Sequence, residues 1–120
     1  MQNSKILVVD DEIKTCHLLS RFLSSQGFLV QIATSGHEAL IKTVDFQPNC
    51  ILLDVRMPQW GLELLSFLKL KLPESIVFMV SAIIEESQLD EYIANGAHSY
   101  INKPVNLKML LDSIREVLKL

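Results

Sequence analysis

The sequence lacks the features that mark membrane-spanning, secreted or nucleic-acid-binding chains. Its 120 residues include no apolar run near the roughly 20 that a membrane-spanning helix needs. We expect no secretory leader, because Asp10, Asp11 and Glu12 interrupt the first apolar run. The formal charge of −3 argues against nucleic acid or an anionic membrane as a direct partner, since both attract basic surfaces.

Cysteine is also scarce. The two cysteines, Cys16 and Cys50, fit no metal-binding or redox spacing, so we expect buried free thiols in the reducing cytoplasm. Apolar residues make up 49% of the chain and charged residues 21%, which is a globular rather than a disordered composition. A chain of this length has room for one domain with a substantial core, and we predict a single domain over residues 1–120.

Short apolar segments alternate with segments of helical periodicity along the chain. The apolar segments are rich in Ile, Val, Leu and Phe, and most are continuous. Such runs are typical of strands that are covered on both faces of a parallel sheet. We predict strands at Lys5–Val9, Phe28–Ala33, Cys50–Leu53, Ile76–Ser81 and Ser99–Ile101.

Helix signals fill the intervals between these strands. Ser35 and Glu38 form a capping box, and Gly27 and Pro73 stop the helices that precede them. We predict helices over Ile13–Gln26, from Ser35 to about Asp45, over Leu62–Lys71 and Glu86–Ala94, and after the cap Asn106. The stripe of the first helix that we expect to face inward is Ile13, Cys16, Leu19, Phe22 and Leu23.

Five strand–helix units in succession predict an α/β fold with a parallel sheet, helices on both faces and right-handed crossovers. At this size the natural arrangement is a single flavodoxin-like, doubly wound (βα)5 domain with strand order 2-1-3-4-5. Folds of this kind bind ligands beyond the carboxyl ends of their strands, so the residues that follow each strand carry the functional information.

Charged and hydroxyl side chains follow four of the predicted strands. Asp10 and Asp11 follow the first, Asp54 the third, Ser81 closes the fourth, and Lys103 follows the fifth. Taken singly, each of these residues is typical of an ordinary helix cap, a turn or a solvated side chain. Together they converge on one edge of the sheet, because the four strands are neighbours in the predicted order.

Three carboxylates in one pocket need a compensating cation or raised pKa values. Two like charges about 4 Å apart repel by about 4 kcal/mol at an effective dielectric of 20. Oxygen ligands favour a hard divalent ion that keeps several waters, which is Mg²⁺. Mg²⁺ and Lys103 would neutralise a transferring phosphoryl group, Ser81 would bond one of its oxygens, and Asp54 is the best candidate for the nucleophile.

The whole chain resembles the receiver domain of two-component response regulators. Ile6–Glu12 is similar to the opening strand and acidic pair of that family, and Asp54–Pro58 to its phosphorylation segment. Ser81-Ala82 matches its switch hydroxyl and the small residue after it. Tyr100, three residues before Lys103-Pro104, matches its switch aromatic.

The resemblance implies a role for each matched position. Asp54 would accept a phosphoryl group from a histidine kinase or a phosphohistidine carrier, and Lys103 would pair with that group. Ser81 and Tyr100 would switch a surface formed by the fourth helix, fifth strand and last helix, where an output domain or a second copy could bind. A cis Lys103–Pro104 peptide is also implied. The implied Mg²⁺ ligands are Asp11, Asp54 and the backbone carbonyl of Arg56, with Asp10 acting mostly through water.

The sequence departs from the family pattern after the phosphorylation segment. Two residues, Gln59 and Trp60, separate its proline from Gly61, where the family usually has three. The start of the following helix is therefore open to question. Trp60 is either a loop residue packed on a neighbouring helix or a contact for a partner.

Two alternatives to a phosphoacceptor signalling module remain open. A receiver-like domain could dock without being phosphorylated. A small Mg²⁺-dependent phosphohydrolase could use the same aspartate chemistry, although Arg56 stands where such enzymes place a second aspartate as acid and base. We expect no turnover of outside substrates. Whether the chain is a stand-alone receiver or one domain of a longer regulator is left open.

Overall fold

Five strands alternate with five helices in the computed structural model, which describes residues 3–54, 61–82 and 85–120. The strands are β1 (Lys5–Val9), β2 (Leu29–Ala33), β3 (Cys50–Asp54), β4 (Ile76–Ser81) and β5 (Ser99–Asn102). The helices are α1 (Ile13–Ser25), α2 (Gly36–Phe46), α3 (Gly61–Lys71), α4 (Glu86–Ala94) and α5 (Leu107–Leu118). Each lies within two residues of its predicted position.

All the strands pair in parallel in the order β2-β1-β3-β4-β5, which confirms the predicted flavodoxin-like fold. In this register Asp54 lies opposite Val80, and Ser81 lies opposite Asn102. Parallel pairing brings the carboxyl ends of all the strands to one edge of the sheet. The residues that follow β1, β3, β4 and β5 therefore start from neighbouring positions.

The sheet separates two apolar clusters. Alternate residues of β1 point to opposite faces, so Ile6 and Val8 pack with α1 and α5 while Leu7 and Val9 pack with α2 and α3. β1 and β3 are buried on both faces, which accounts for their continuous apolar sequences.

The edge strand β2 differs from the expectation of strands covered on both faces. Leu29 and Gln31 are exposed and alternate with half-buried neighbours. The reason is its place at the edge of the sheet. The Lys42 ammonium, on the neighbouring helix α2, donates a hydrogen bond to the Ile32 carbonyl of this strand.

The helix caps follow the sequence signals, with one difference. The Ser35 hydroxyl accepts a hydrogen bond from the Glu38 amide, as predicted, but the Glu38 carboxylate accepts from the amide of Thr34 rather than that of Ser35. The Asn106 side chain accepts from the Met109 amide and caps α5. Gly27 follows α1 with a φ of 96°, a conformation that favours glycine.

Ile13 corrects the predicted inward stripe of α1. Its side chain is 46% exposed, because it opens the helix at the carboxyl edge of the sheet, where residues 11–14 are all exposed. The stripe begins one turn later, with Cys16, Leu19 and Leu23 buried.

Both cysteines are buried free thiols, as predicted. Burial is the main cause that raises the pKa of Cys16 to about 11 and the pKa of Cys50 to about 12. The Cys16 thiol donates a hydrogen bond to the Asp10 carbonyl over 3.2 Å, so it supports the backbone at the end of β1. Within the part of the chain that the structure describes, no helix is long and apolar enough to cross a membrane.

Two leucines of α1 allow a matched test of this packing. Leu23 is fully buried, whereas Leu18 on the same helix is 58% exposed. We expect Leu23→Ala to lower the free energy of unfolding by about 2–5 kcal/mol, because it leaves a cavity in the core. Leu18→Ala should change it by no more than about 0.5 kcal/mol in urea titrations. Equal losses for the two variants would contradict the described burial.

Candidate functional site

Two buried carboxylates stand at the centre of the carboxyl edge of the sheet. Asp10 follows β1 directly, and Asp54 is the last residue of the neighbouring strand β3. Their residues are 3% and 1% exposed. The Asp10 amide donates a 3.0 Å hydrogen bond to the Ala33 carbonyl, which continues the pairing with β2 beyond the end of β1. The ends of the strands therefore fix both carboxylates.

Asp11 completes a cluster of three carboxylates. One carboxylate oxygen from each of Asp10, Asp11 and Asp54 lies within 4.8 Å of the others. Asp11 is exposed, unlike the other two, so the cluster opens to solvent on its side. The structure thus brings together the three acidic residues that the sequence predicted. Asp10 and Asp54 are buried, and Asp11 is accessible to solvent.

Lys103 reaches this cluster from the end of β5. Its ammonium lies 2.9 Å from Asp10 Oδ2 and 3.5 Å from Asp54 Oδ2, and its side chain is 16% exposed. Its amide donates a 2.8 Å hydrogen bond to the Ser81 carbonyl at the end of β4. The Lys103–Pro104 peptide is cis, as the resemblance implies. One residue thus joins the ends of β1, β3, β4 and β5.

The environment of Asp10 favours its ionised form. Burial on its own raises the pKa of Asp10. The Glu12 amide, which donates over 2.8 Å to Oδ1, and the Lys103 ammonium on Oδ2 outweigh burial and hold that pKa below its usual value. Both oxygens of Asp10 therefore already accept hydrogen bonds, which the sequence did not reveal.

The charges of these four side chains do not balance. Taken by themselves, these three carboxylates and one ammonium carry a formal excess of two negative charges in a partly buried space. Like charges at such distances repel by several kcal/mol when water is limited. A divalent cation would offset the excess, and hard oxygen ligands beside an open face suit Mg²⁺, which keeps several waters. The donor set therefore fits this metal.

The remaining site residues from the sequence occupy different places. Ser81 is 3% exposed and ends β4, beside the strand that ends in Asp54. Tyr100 lies in β5 opposite Met79 and packs, half-buried, against the cluster below α2 and α3. Its ring therefore lies on the face of the sheet that α2 and α3 cover. The backbone carbonyl of Arg56, along with Gln59 and Trp60, lies outside the described residues.

Comparison with known proteins places the chain in a family. A family model described as the response regulator receiver domain matches residues 6–115. The chain belongs to this family, and the predicted membership is confirmed.

Individual relatives share the receiver segment. The regulatory protein AtoC of Escherichia coli is 31% identical over 98% of this chain, and a protein-glutamate methylesterase/protein-glutamine glutaminase of Trichodesmium erythraeum is 34% identical over 89%. The matches cover 26% and 32% of those proteins. A CheY-like response regulator receiver domain protein from Methanospirillum hungatei, known from a crystal structure, shares 31% sequence identity with this chain. The two structures superpose with a TM-score of 0.93, over 98% of this chain and 95% of the other.

Removing the ammonium of Lys103 should destabilise the protein. Lys103→Gln removes the ammonium that two buried carboxylates share, and we expect a loss of about 1–3 kcal/mol in the free energy of unfolding without divalent ions. Lys108→Gln, at an exposed position of α5, should change stability by no more than about 0.5 kcal/mol. A Lys103 variant as stable as the Lys108 variant in urea titrations would refute this account of the charge balance.

Proposed function

We propose that this chain is a phosphoacceptor module of a two-component phosphorelay and that Asp54 is its acceptor. The observation that carries the proposal is the position of a fully buried Asp54 carboxylate between two further aspartates and the Lys103 ammonium. These groups lie at strand ends, where doubly wound folds bind ligands. Membership of the receiver family supports a phosphoacceptor signalling role.

The transfer requires a nucleophile and compensation for charge. A carboxylate oxygen of Asp54 attacks the phosphorus of a phosphohistidine, the P–O bond forms, and the P–N bond breaks with its electron pair returning to the imidazole. The Lys103 ammonium, 3.5 Å from Asp54 Oδ2, would then pair with the new phosphoryl oxygens. The Ser81 hydroxyl would bond another of these oxygens.

The metal ligands in this proposal are Asp11, Asp54 and the backbone carbonyl of Arg56. Both oxygens of Asp10 accept hydrogen bonds from Glu12 and Lys103, so Asp10 would act mostly through water. When bound, Mg²⁺ would neutralise charge on the transferring phosphoryl group. Asp11 is exposed and can hold an ion that keeps part of its hydration shell.

The output of the module would be a change of surface. A phosphoryl group adds a charge of about −1.5 to −2, by analogy with other phosphorylated side chains. Ser81 would move toward it and Tyr100 would turn inward behind, which biases the surface of α4, β5 and α5. We propose that an output domain or a second copy binds this surface, and that a histidine kinase or phosphotransfer protein supplies the phosphoryl group. A nucleic acid or a membrane would not bind directly.

We further propose that residues 1–120 constitute one receiver domain. Its only chemistry would be its own phosphorylation and slow dephosphorylation, with no turnover of outside substrates. The two buried free thiols are what a protein of the reducing cytoplasm would carry, which supports that location.

Acetyl phosphate provides the direct test of the acceptor. We expect intact-mass spectrometry to show a gain of one phosphoryl group after incubation with acetyl phosphate and Mg²⁺, and no gain for Asp54→Asn. Asp45→Asn, at an exposed position of α2, serves as the matched control and should gain as the unsubstituted chain does.

Each alternative predicts a different result in that experiment. A gain that persists in Asp54→Asn would assign the acceptor to another residue. No gain at all would support a receiver-like domain that docks without phosphorylation. Repeated release of phosphate in large excess over protein would support the phosphohydrolase.

Magnesium should stabilise the folded chain by mass action. We expect the free energy of unfolding to rise by about 1.4 kcal/mol for each tenfold increase in Mg²⁺ above its dissociation constant, at constant ionic strength. Asp11→Asn should shift the start of this rise to a higher Mg²⁺ concentration, while Asp112→Asn, at an exposed position of α5, should leave it unchanged. A rise that begins at the same Mg²⁺ concentration in both variants would remove Asp11 from the proposed ligand set.

A further inference from the structure

Helix α4 is held to the rest of the protein by few side chains. All nine of its residues are described, and none of them is fully buried. Leu89 and Tyr92 are half-buried, and the other seven residues are exposed. Much of the free energy that fixes a helix comes from burying its apolar face, so α4 depends on these two contacts. Tyr92 is the larger of the two, and its ring packs against the cluster that holds α2 and α3.

The Tyr92 ring lies against the first residue of α3. A Cβ placed on Gly61 would lie 3.0 Å from the Tyr92 hydroxyl oxygen and 3.8 Å from the nearest ring carbons. Gly61 is buried, and its φ lies outside the left-handed region that favours glycine. The close approach of the Tyr92 ring is therefore the feature that favours glycine at this position. Tyr92 of α4 and Gly61 of α3 are therefore in close contact, with no room for a larger residue at position 61 unless the Tyr92 ring moves.

The helices that carry this pair share a core cluster with the strand that carries the acceptor. Gly61 opens the helix that follows Asp54 in sequence. Leu53, the residue before Asp54, belongs to the same buried cluster as Leu64 and Leu65 of α3, and Tyr92 packs against this cluster. A displacement at the end of β3 therefore reaches α3 and Tyr92 through side chains that are in one packed core.

We propose that the Tyr92 ring couples the occupied acceptor to α4 by resting on Gly61, so that Tyr92 is a positioning residue for the response to phosphorylation. This inference rests on the proposed function, since it requires a phosphoryl group on Asp54. By linkage, a partner that fixes α4 would also alter the affinity of the acceptor site for a phosphoryl analogue.

Hydrogen exchange of the α4 amides tests the coupling. The chain is loaded with Mg²⁺ and beryllofluoride, and binding is verified separately by the ¹⁹F resonance of bound fluoride. We expect loading to change the protection of residues 86–94 in the unsubstituted chain and in Tyr92→Phe, which keeps the ring. In Tyr92→Ala this change should shrink by roughly 2- to 30-fold while ¹⁹F binding persists.

A second pair of variants keeps the ring and displaces it. Gly61→Ala places a methyl group 3.0 Å from the Tyr92 hydroxyl, so the response of α4 should again shrink. Combining Gly61→Ala with Tyr92→Phe removes the hydroxyl and should restore the response, because the remaining ring carbons lie at an ordinary contact distance of 3.8 Å. Such a rescue distinguishes coupling from a general loosening of α4.

The outcomes separate the two proposals. The coupling would be overturned if fluoride binds and the α4 response is unchanged in Tyr92→Ala or Gly61→Ala. A double variant that does not regain the response would overturn it as well. The proposed phosphoacceptor function would stand in either case. An α4 that does not respond in the unsubstituted chain would overturn the coupling as well. No bound fluoride in the unsubstituted chain would overturn the proposed function and this inference with it.

Discussion

The charge balance at the carboxyl edge of the sheet is the constraint on which the functional site depends. Asp10 and Asp54 are almost fully buried at the ends of adjacent strands, and one ammonium, that of Lys103, lies within 3.5 Å of both. Burial of unpaired charge is costly, so the hydrogen bond from the Lys103 amide to the Ser81 carbonyl matters because it fixes the backbone that carries this ammonium. Adding Asp11 leaves a net negative site that is suited to accept a cation.

The sequence sufficed for the architecture because the fold follows from a few strong regularities. Continuous apolar strands such as Cys50–Asp54, separated by capped amphipathic helices, leave few arrangements other than a parallel, doubly wound sheet. The convergence of Asp10, Asp54 and Lys103 then follows from strand order alone. The burial of residues at helix ends and on the edge strand was less predictable. Ile13 matches the helical stripe but opens its helix at an exposed rim, and β2 is half-exposed because it lies at an edge.

The finer geometry of the site could not be derived from sequence spacing. Nothing in the sequence shows that the Lys103 ammonium lies nearer to Asp10 than to Asp54, or that the Glu12 amide occupies the second oxygen of Asp10. Both depend on side-chain conformations at the ends of separate elements. The same holds for Tyr92 and Gly61, whose contact joins positions far apart in the chain. The sequence of α4 contains nothing that predicts a contact between its tyrosine and the first residue of α3.

The most direct test of the central claim is a crystal structure of the chain with Mg²⁺ and beryllofluoride. We expect beryllofluoride on a carboxylate oxygen of Asp54, a metal ion in contact with Asp11 and Asp54, and a hydrogen bond from the Lys103 ammonium to a fluorine atom. Beryllofluoride bound elsewhere, or a metal ion that contacts neither Asp11 nor Asp54, would contradict it.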